Sequence, residues 1–395
     1  MISAEDAFRI IDQNSPTPKV EEVSFQECLG RVLAEDIVAD RDFPPYHRAA
    51  MDGVAFLHAD FEKGIRKFRV VGQQIAGISK LELEGEGTCV EIMTGAILPI
   101  GADTIIRFED TSISDGIATV NIDEIHQWAN IHLQGKDAEE GNVVIPAGKK
   151  INIGDIGIIT SVGKTTVKVK ALPRVALIST GNELVEPHEK PEPFQIRKSN
   201  VYTISALLQR EGIVHKMFHF NDDFDAIKAG LEKIAEEYDL IMMSGGVSMG
   251  KKDYIPDALA AIGVEKLFHR VLQRPGKPLW FGKNDKVTVF GFPGNPVSTL
   301  VCYTAYFRRW LGNTLNSHRD KVYAALAEDV EFKPDLTYYM PVFLYHEASN
   351  LLAKPYKGHG SGDLVNLTHT EAFLCLPRGK EHFAKGEVYE VYFPL

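Results

Sequence analysis

The residues of this chain that could do chemistry lie in five short stretches. Ser179-Thr180-Gly181-Asn182-Glu183, Asn221-Asp222-Asp223 and Ser244-Gly245-Gly246-Val247-Ser248-Met249-Gly250-Lys251-Lys252-Asp253 each bring a carboxylate next to glycine, amide or hydroxyl groups. Glu183, Asp222 and Asp253 are hard oxygen donors, and such donors acting together with a phosphate are the usual way to hold Mg²⁺. The glycines let backbone N–H groups approach an anion, and a helix beginning just afterwards adds a favourable dipole. A fourth stretch, Gly291-Phe292-Pro293-Gly294-Asn295-Pro296-Val297-Ser298, has the same polar, turn-rich character. The fifth, Arg274-Pro275-Gly276-Lys277-Pro278, sets two cations three residues apart around a forced turn, a geometry suited to an oxyanion. Taken singly, each acid is more readily a helix cap or a solvated turn residue; for the two cations surface charge is the alternative, but their position between the last strands of the sheet favours the anion reading. Gly245 to Lys251 fits G-x-x-x-x-G-K, but Lys252 stands where a P-loop needs Ser or Thr for Mg²⁺, so the pattern predicts anion cradling rather than a nucleotide-hydrolase loop.

Four of these stretches follow apolar runs of strand length: Val175 to Ile178, Val214 to Phe220, Leu240 to Met243 and Val287 to Phe290. Helical periodicity separates the runs, at Val201 to Arg210, from Phe224 through Ile234, at Ile255 to Ile262 and at Val297 to Leu311. Short apolar strands alternating with helices predict an α/β domain with a doubly wound parallel sheet covered on both faces. In such sheets ligands bind beyond the carboxyl ends of the strands, so the polar loops converge on one edge. Upstream, Ser3 caps an amphipathic helix with Ala4, Ala7, Phe8 and Ile11 on one face. Short apolar runs between turns predict a small β-domain at about 43–137, a second mainly β segment at about 142–172, and a C-terminal β-domain after about residue 315.

Composition narrows the classes. The chain has 395 residues, 44% hydrophobic and 25% charged, which is globular rather than disordered. Its formal charge of -11 argues against a general binder of nucleic acid or anionic membrane, so an anionic ligand must be met locally. No apolar run is long enough for a membrane helix, and the acidic start, Met1-Ile2-Ser3-Ala4-Glu5-Asp6, is unlike a signal peptide, so a cytoplasmic protein is expected. Cys28, Cys89, Cys302 and Cys375 show neither disulfide nor zinc spacing. No Ser/His/Asp or Cys/His constellation is legible, which leaves hydrolytic steps to a metal-activated water.

Jointly, the motifs resemble the molybdopterin molybdenumtransferases, a family that includes the C-terminal domain of gephyrin. The resemblance rests on Ala50-Met51-Asp52-Gly53, Met93-Thr94-Gly95-Ala96-Ile97-Leu98-Pro99-Ile100-Gly101-Ala102-Asp103, Ser179 to Leu184, Ser244 to Gly250 with Asp253, Pro275-Gly276-Lys277-Pro278 and Gly294-Asn295-Pro296-Val297-Ser298, in the family's order. It implies the last step of molybdenum cofactor synthesis: adenylylated molybdopterin and molybdate bind, Mg²⁺ assists, metal enters the dithiolene and AMP leaves. The implied architecture is an elongated domain (1–42 with 138–172), an inserted β-domain (43–137), a molybdopterin-binding α/β domain (173–314) and a C-terminal β-barrel-like domain (315–395). It further implies a homodimer whose site is completed in trans by Asp52 and Thr94, with a molybdopterin adenylyltransferase and molybdoenzyme maturation proteins as candidate partners.

By the same likeness Glu183, Asp222 and Asp253 are the Mg²⁺ and pyrophosphate-side acids. Thr180, Gly181, Ser244, Gly245, Gly246, Ser248 and Gly250 form the phosphate and pterin cradle, and Pro293, Gly294, Asn295 and Pro296 extend it. Arg274, Lys277, Pro278, Ser298 and Ser361 form the molybdate pocket. The chain departs from the family pattern at Ala49, Val54, His132, Arg274, Pro341 and Thr370-Glu371-Ala372, with Pro341 where an anion-binding Arg is expected. These departures concern the molybdate half, where Lys357 or His359 is available as a replacement cation. Two other readings stay open at this point: a divergent paralogue that binds the pterin or a partner without inserting metal, and a P-loop-like nucleotide hydrolase.

Overall fold

The computed structural model describes residues 1–246, 254–317, 320–356 and 358–394. The chain divides into two compact units, Met1–Glu21 with Lys170–Leu395, and Glu22–Val169. The first 21 residues group with the α/β unit. Helix α1 (Ala4–Gln13) begins where the Ser3 hydroxyl accepts the Asp6 N–H at 3.0 Å.

In the first unit, the sheet is built from β1 (Val175–Thr180), β2 (His215–Phe220), β3 (Leu240–Ser244), β4 (Glu265–His269), β6 (Trp280–Lys283) and β7 (Thr288–Phe292), with β5 (Gln273–Arg274) leaving it for the C-terminal barrel. Strand order is β2-β1-β3-β7-β6-β4. The first four are parallel, as expected, while β6 and β4 add an antiparallel edge that the sequence pattern did not announce. Helices α2 (Asn200–Arg210), α3 (Phe224–Glu237) and α4 (Ile255–Ala261) supply the crossovers. On one face, Ile227, Leu231 and Ile234 of α3 and Leu259 of α4 bury against Ile178, Ile241, Met243 and Val289. Each such side chain contributes about 1.5 to 3 kcal/mol before entropy is counted. On the other face, α5 (Pro296–Cys302) continues through a π turn at Tyr303–Phe307 into α6 (Arg308–Leu315), and Phe307 and Trp310 both lie 6.1 Å from the Phe290 ring. There α1 docks as well, with Phe8 on Tyr306 and Asp12 bound by Arg309.

Strands β8 (Val322–Leu326), β9 (Thr337–Glu347), β10 (Asn350–Pro355), β11 (Ala372–Leu376) and β12 (Val388–Tyr392) close into a small barrel in the order β9-β10-β8-β12-β11, with β11 returning to β9. Pro341 lies inside β9 without breaking it. Strand β10 ends at Pro355, and the ladder on that side finishes with the Tyr356 N–H donating to the Pro341 carbonyl at 3.0 Å, so no donor is needed from Pro341.

The second unit holds a six-stranded sheet ordered Thr104–Arg107, Gly53–Phe56, Thr88–Ile92, Lys67–Gln74, Ile117–Val120, Thr111–Ser114. The segment 142–172, expected to be mainly β, contains a helix, Ile153–Ser161. Its Asn152 and Asp155 form a reciprocal capping box, and that local cap outweighs the strand-like run of β-branched residues. Among the described residues no helix is long and apolar enough to cross a membrane.

Candidate active site

Three loops at the carboxyl edge of the sheet carry the predicted acids and glycines. The Gly181 N–H donates to the Phe220 carbonyl at 3.3 Å, and the Asp222 N–H donates to Asn182 Oδ1 at 3.1 Å, so the loops after β1 and β2 are tied together. Asp223, not Asp222, caps α3 by accepting the Ala226 N–H at 2.7 Å. This leaves the Asp222 carboxylate without an ion pair or hydrogen bond among the described residues. The Glu183 carboxylate is exposed and folds back over Gly181; a Cβ at that glycine, whose φ is +128°, would lie 2.5 Å from Glu183 Oε2. Two carboxylates without a partner among the described residues therefore occupy neighbouring loops. Asp253, the third predicted acid, lies outside the described residues, as do Ser248, Gly250 and Lys357.

Beyond β7 and β5, a cavity of about 370 Å³ opens between the α/β fold and the barrel. Arg274, Lys277 and Pro278 line one side, Pro293, Gly294, Asn295 and Ser298 the other, and Leu336 and Ser361 close it. The exposed Arg274 and Lys277 side chains enter no ion pair among the described residues, which is the electrostatic state an anion requires. Ser298 is 3% exposed in the first turn of the continuous α5–α6 rod, where helix dipole and backbone donors favour negative charge. Asn295 Nδ2 donates to Ser361 Oγ at 2.8 Å, and the Val297 N–H to the Ser361 carbonyl at 3.2 Å, so the barrel loop bearing Ser361 is pinned to the pocket wall.

Behind the cations stands Gln273, which sequence reasoning missed. It is 1% exposed, donates to the Pro275 carbonyl at 3.0 Å and accepts from the Tyr306 hydroxyl. Gly276, at φ +90°, has no room for a side chain, since a Cβ would come within 2.6 Å of Gln273 Nε2 and 2.7 Å of Cys302 Sγ. Burial pushes the Cys302 thiol far up, so it is an inert packing group. Asn200 is the second missed residue: its amide bonds Ser244 Oγ at 2.9 Å and the Gly294 carbonyl at 2.7 Å. At the start of a helix it reads in sequence only as a capping type.

The other predicted residues fall as follows. Thr180 and Ser244 are buried at the ends of β1 and β3, with Gly245 and Gly246 beginning the turn that follows β3. Pro341 and His359 do not line the cavity. Ser179 Oγ and His219 Nδ1 stand 3.0 Å apart, a pair unseen in the sequence. The same Nδ1 also lies 3.1 Å from the Ser179 carbonyl, which can only accept, so Nδ1 carries the proton and cannot take one from the serine. Burial, with Lys198 nearby, lowers the His219 pKa and keeps the ring neutral. In the second unit, Asp52 Oδ1 accepts both the Thr94 N–H and its hydroxyl at 2.6 Å, which holds its carboxyl below the usual aspartate range. His132 is bound to Asp137 at 3.0 Å and approaches Arg48 at 3.3 Å.

Comparison with known proteins gives this geometry its relatives. Family models match in succession: the MoeA N-terminal region (domain I and II) at residues 2–163, a probable molybdopterin binding domain at 176–313 and the MoeA C-terminal region (domain IV) at 323–393. A molybdopterin molybdenumtransferase of Synechocystis sp. is 38% identical, over 99% of this chain and 100% of its own length. This chain belongs to the molybdopterin molybdenumtransferase family. A second such relative, from Staphylococcus epidermidis, is 31% identical over 99% of this chain and 95% of its own. Two crystal structures of the molybdopterin biosynthesis MoeA protein from Pyrococcus horikoshii superpose with TM-scores of 0.85 and 0.83 at 29% and 27% identity, covering all of this chain and at least 99% of theirs. The cations, glycine turn and acids described above thus belong to a fold of molybdenum cofactor biosynthesis.

Proposed function

We propose that the protein inserts molybdenum into adenylylated molybdopterin and releases AMP. The observation that carries this reading is the cavity of about 370 Å³ with two cations, Arg274 and Lys277, that enter no ion pair among the described residues, on the fold of a molybdopterin-binding domain. Molybdate is a tetrahedral dianion. Arg274 and Lys277 supply its charge complement, while Ser298 and Ser361 offer hydroxyl donors and Pro278 and Leu336 restrict the space. Thr180, Gly181, Ser244, Gly245 and Gly246, with Ser248 and Gly250, cradle the pterin and its phosphates.

Glu183 and Asp222, with Asp253, would hold Mg²⁺; the donors are all oxygen, which fits a hard cation. Bound there, Mg²⁺ would offset charge on the phosphoanhydride and acidify a water for its cleavage. The protein's own part is to hold the phosphates against backbone N–H groups, keep the two carboxylates unpaired until metal arrives, and set the oxyanion at a fixed place beyond the glycine turn. We also propose a homodimer in which Asp52 and Thr94 serve the partner's site; their bonded geometry supports this by keeping Asp52 ionised and fixed in orientation.

The test is AMP release from adenylylated molybdopterin by purified protein, with and without molybdate and Mg²⁺. Release that depends on both is expected. Tight binding of the adenylate with no release at any molybdate concentration would instead favour a binding protein, the reading to which Pro341 lends itself.

A further inference from the structure

Asn200 opens α2 and donates both amide hydrogens, one to Ser244 Oγ at 2.9 Å and one to the Gly294 carbonyl at 2.7 Å. Ser244 is the last residue of β3 before the glycine turn, whereas Gly294 is part of the cavity wall. One side chain therefore bonds the phosphate-side loop and the oxyanion pocket at once. A carbonyl oxygen only accepts, so Gly294 fixes which end of the amide is nitrogen. The remaining oxygen, Asn200 Oδ1, is buried with no hydrogen-bond partner among the described residues. A second unpartnered atom, Thr180 Oγ1, lies against the same turn, 2.9 Å from where a Cβ on Gly246 would stand. Folded proteins rarely leave buried polar atoms unpaired, and where they do, strain or a functional demand accounts for it.

We infer that Asn200 is a positioning residue that couples the two halves of the site, fixing the spacing between the glycine turn and the oxyanion pocket so that occupation of one half sets the geometry of the other. The inference rests on the reading of the two halves proposed above. Transfer between two bound reactants depends on their separation, and a misplacement of about 1 Å costs roughly 10²-fold in rate. A residue that controls that separation need touch neither reactant. Asparagine suits the task because the Gly294 carbonyl needs a donor while the Ser244 hydroxyl can accept the second amide hydrogen. Aspartate has the same shape but sets a carboxylate against the Gly294 carbonyl, and alanine removes both bonds.

The experiment titrates inorganic molybdate into the full-length protein by calorimetry, with and without saturating AMP, for wild type, Asn200→Ala and Asn200→Asp. Single-turnover AMP release and thermal midpoints are measured on the same preparations. Wild type should show AMP shifting the molybdate affinity by about fivefold or more. In both variants each probe should still bind alone within about threefold of wild type, the linkage should fall to near unity and turnover should drop by about 10²-fold. Should the aspartate variant fail to fold, the alanine variant carries the test. Linkage and turnover kept in a folded variant would overturn the role of Asn200, as would wild type binding both probes independently. Loss of affinity for each probe alone, in step with a lowered thermal midpoint, would overturn it by showing a merely structural role. Wild type binding neither probe would overturn the reading of the site itself, and the inference with it.

Discussion

The oxyanion pocket and the acid edge lie on the same sheet but are held in different ways. Around the pocket, neutral groups are locked from behind: Gln273 between Tyr306 and the Pro275 carbonyl, Asn295 on Ser361, Gly276 against Cys302. The cations they present enter no ion pair among the described residues. At the acid edge, Glu183 and Asp222 stand on loops tied through backbone groups and Asn182, and neither carboxylate has a partner among the described residues. On the function proposed above, a rigid tetrahedral anion would be met by a preformed cavity, while a metal ion would gather ligands that are free until it binds. The contrast teaches that binding residues need not be the best-supported ones; support goes where shape must be exact before the ligand arrives.

Substitutions that strip charge from each region test this contrast. Lys277→Met removes one charge-assisted contact to the oxyanion, worth roughly 1.5 to 3 kcal/mol, and should raise the half-saturating molybdate concentration by about one to two decades in an AMP-release titration. Asp222→Asn keeps the shape of the acid edge but removes a hard anionic ligand. Its Mg²⁺ requirement should rise by about tenfold, with half-saturating molybdate unchanged. If molybdate dependence moved instead, the two regions would not be separable as described.

Pro341→Arg addresses the departure from the family pattern. Pro341 shares a face of β9 with Tyr339, whose ring is 6.5 Å from Tyr306, the residue that holds Gln273. Pro341 is buried and lies outside the cavity wall, so a guanidinium there should lower the thermal midpoint and leave half-saturating molybdate unchanged. A fall in half-saturating molybdate would show that β9 reaches the anion after all.

The smallest effect is expected at Asp52. Its folded pKa is depressed by the Thr94 hydroxyl and N–H, so the stabilisation from this pair is fully present above the ordinary aspartate pKa and is lost as pH falls through the depressed one. Thr94→Val removes the hydroxyl and should raise the Asp52 pKa, read by NMR titration of its carboxyl carbon. An unchanged pKa would mean that the backbone N–H alone sets it.

Much of this was legible in the sequence because strand, loop and helix alternate with clear periods: β1, β2, β3 and β7 and the helices between them coincide with their apolar patterns within a few residues. Strands β4 and β6 escaped notice because Glu265–His269 and Trp280–Lys283 are short, mixed in polarity and antiparallel, and the cation turn lies between them. The helix Ile153–Ser161 was hidden by its isoleucines, which favour strands until the Asn152 cap is counted. In the site, charged and glycine-rich residues declared themselves by type. Gln273 and Asn200 did not, because an uncharged amide acts through the partners folding gives it, and those partners are distant in sequence.

Arg274 and Lys277 are proposed to frame an oxyanion site. The most direct measurement is a crystal of the full chain soaked in tungstate, located by anomalous scattering. A peak is expected inside the cavity, within contact distance of Lys277 and Ser298 and absent from the Lys277→Met protein. A peak confined to other surfaces, or an empty cavity at a concentration that saturates the protein in solution, would contradict it.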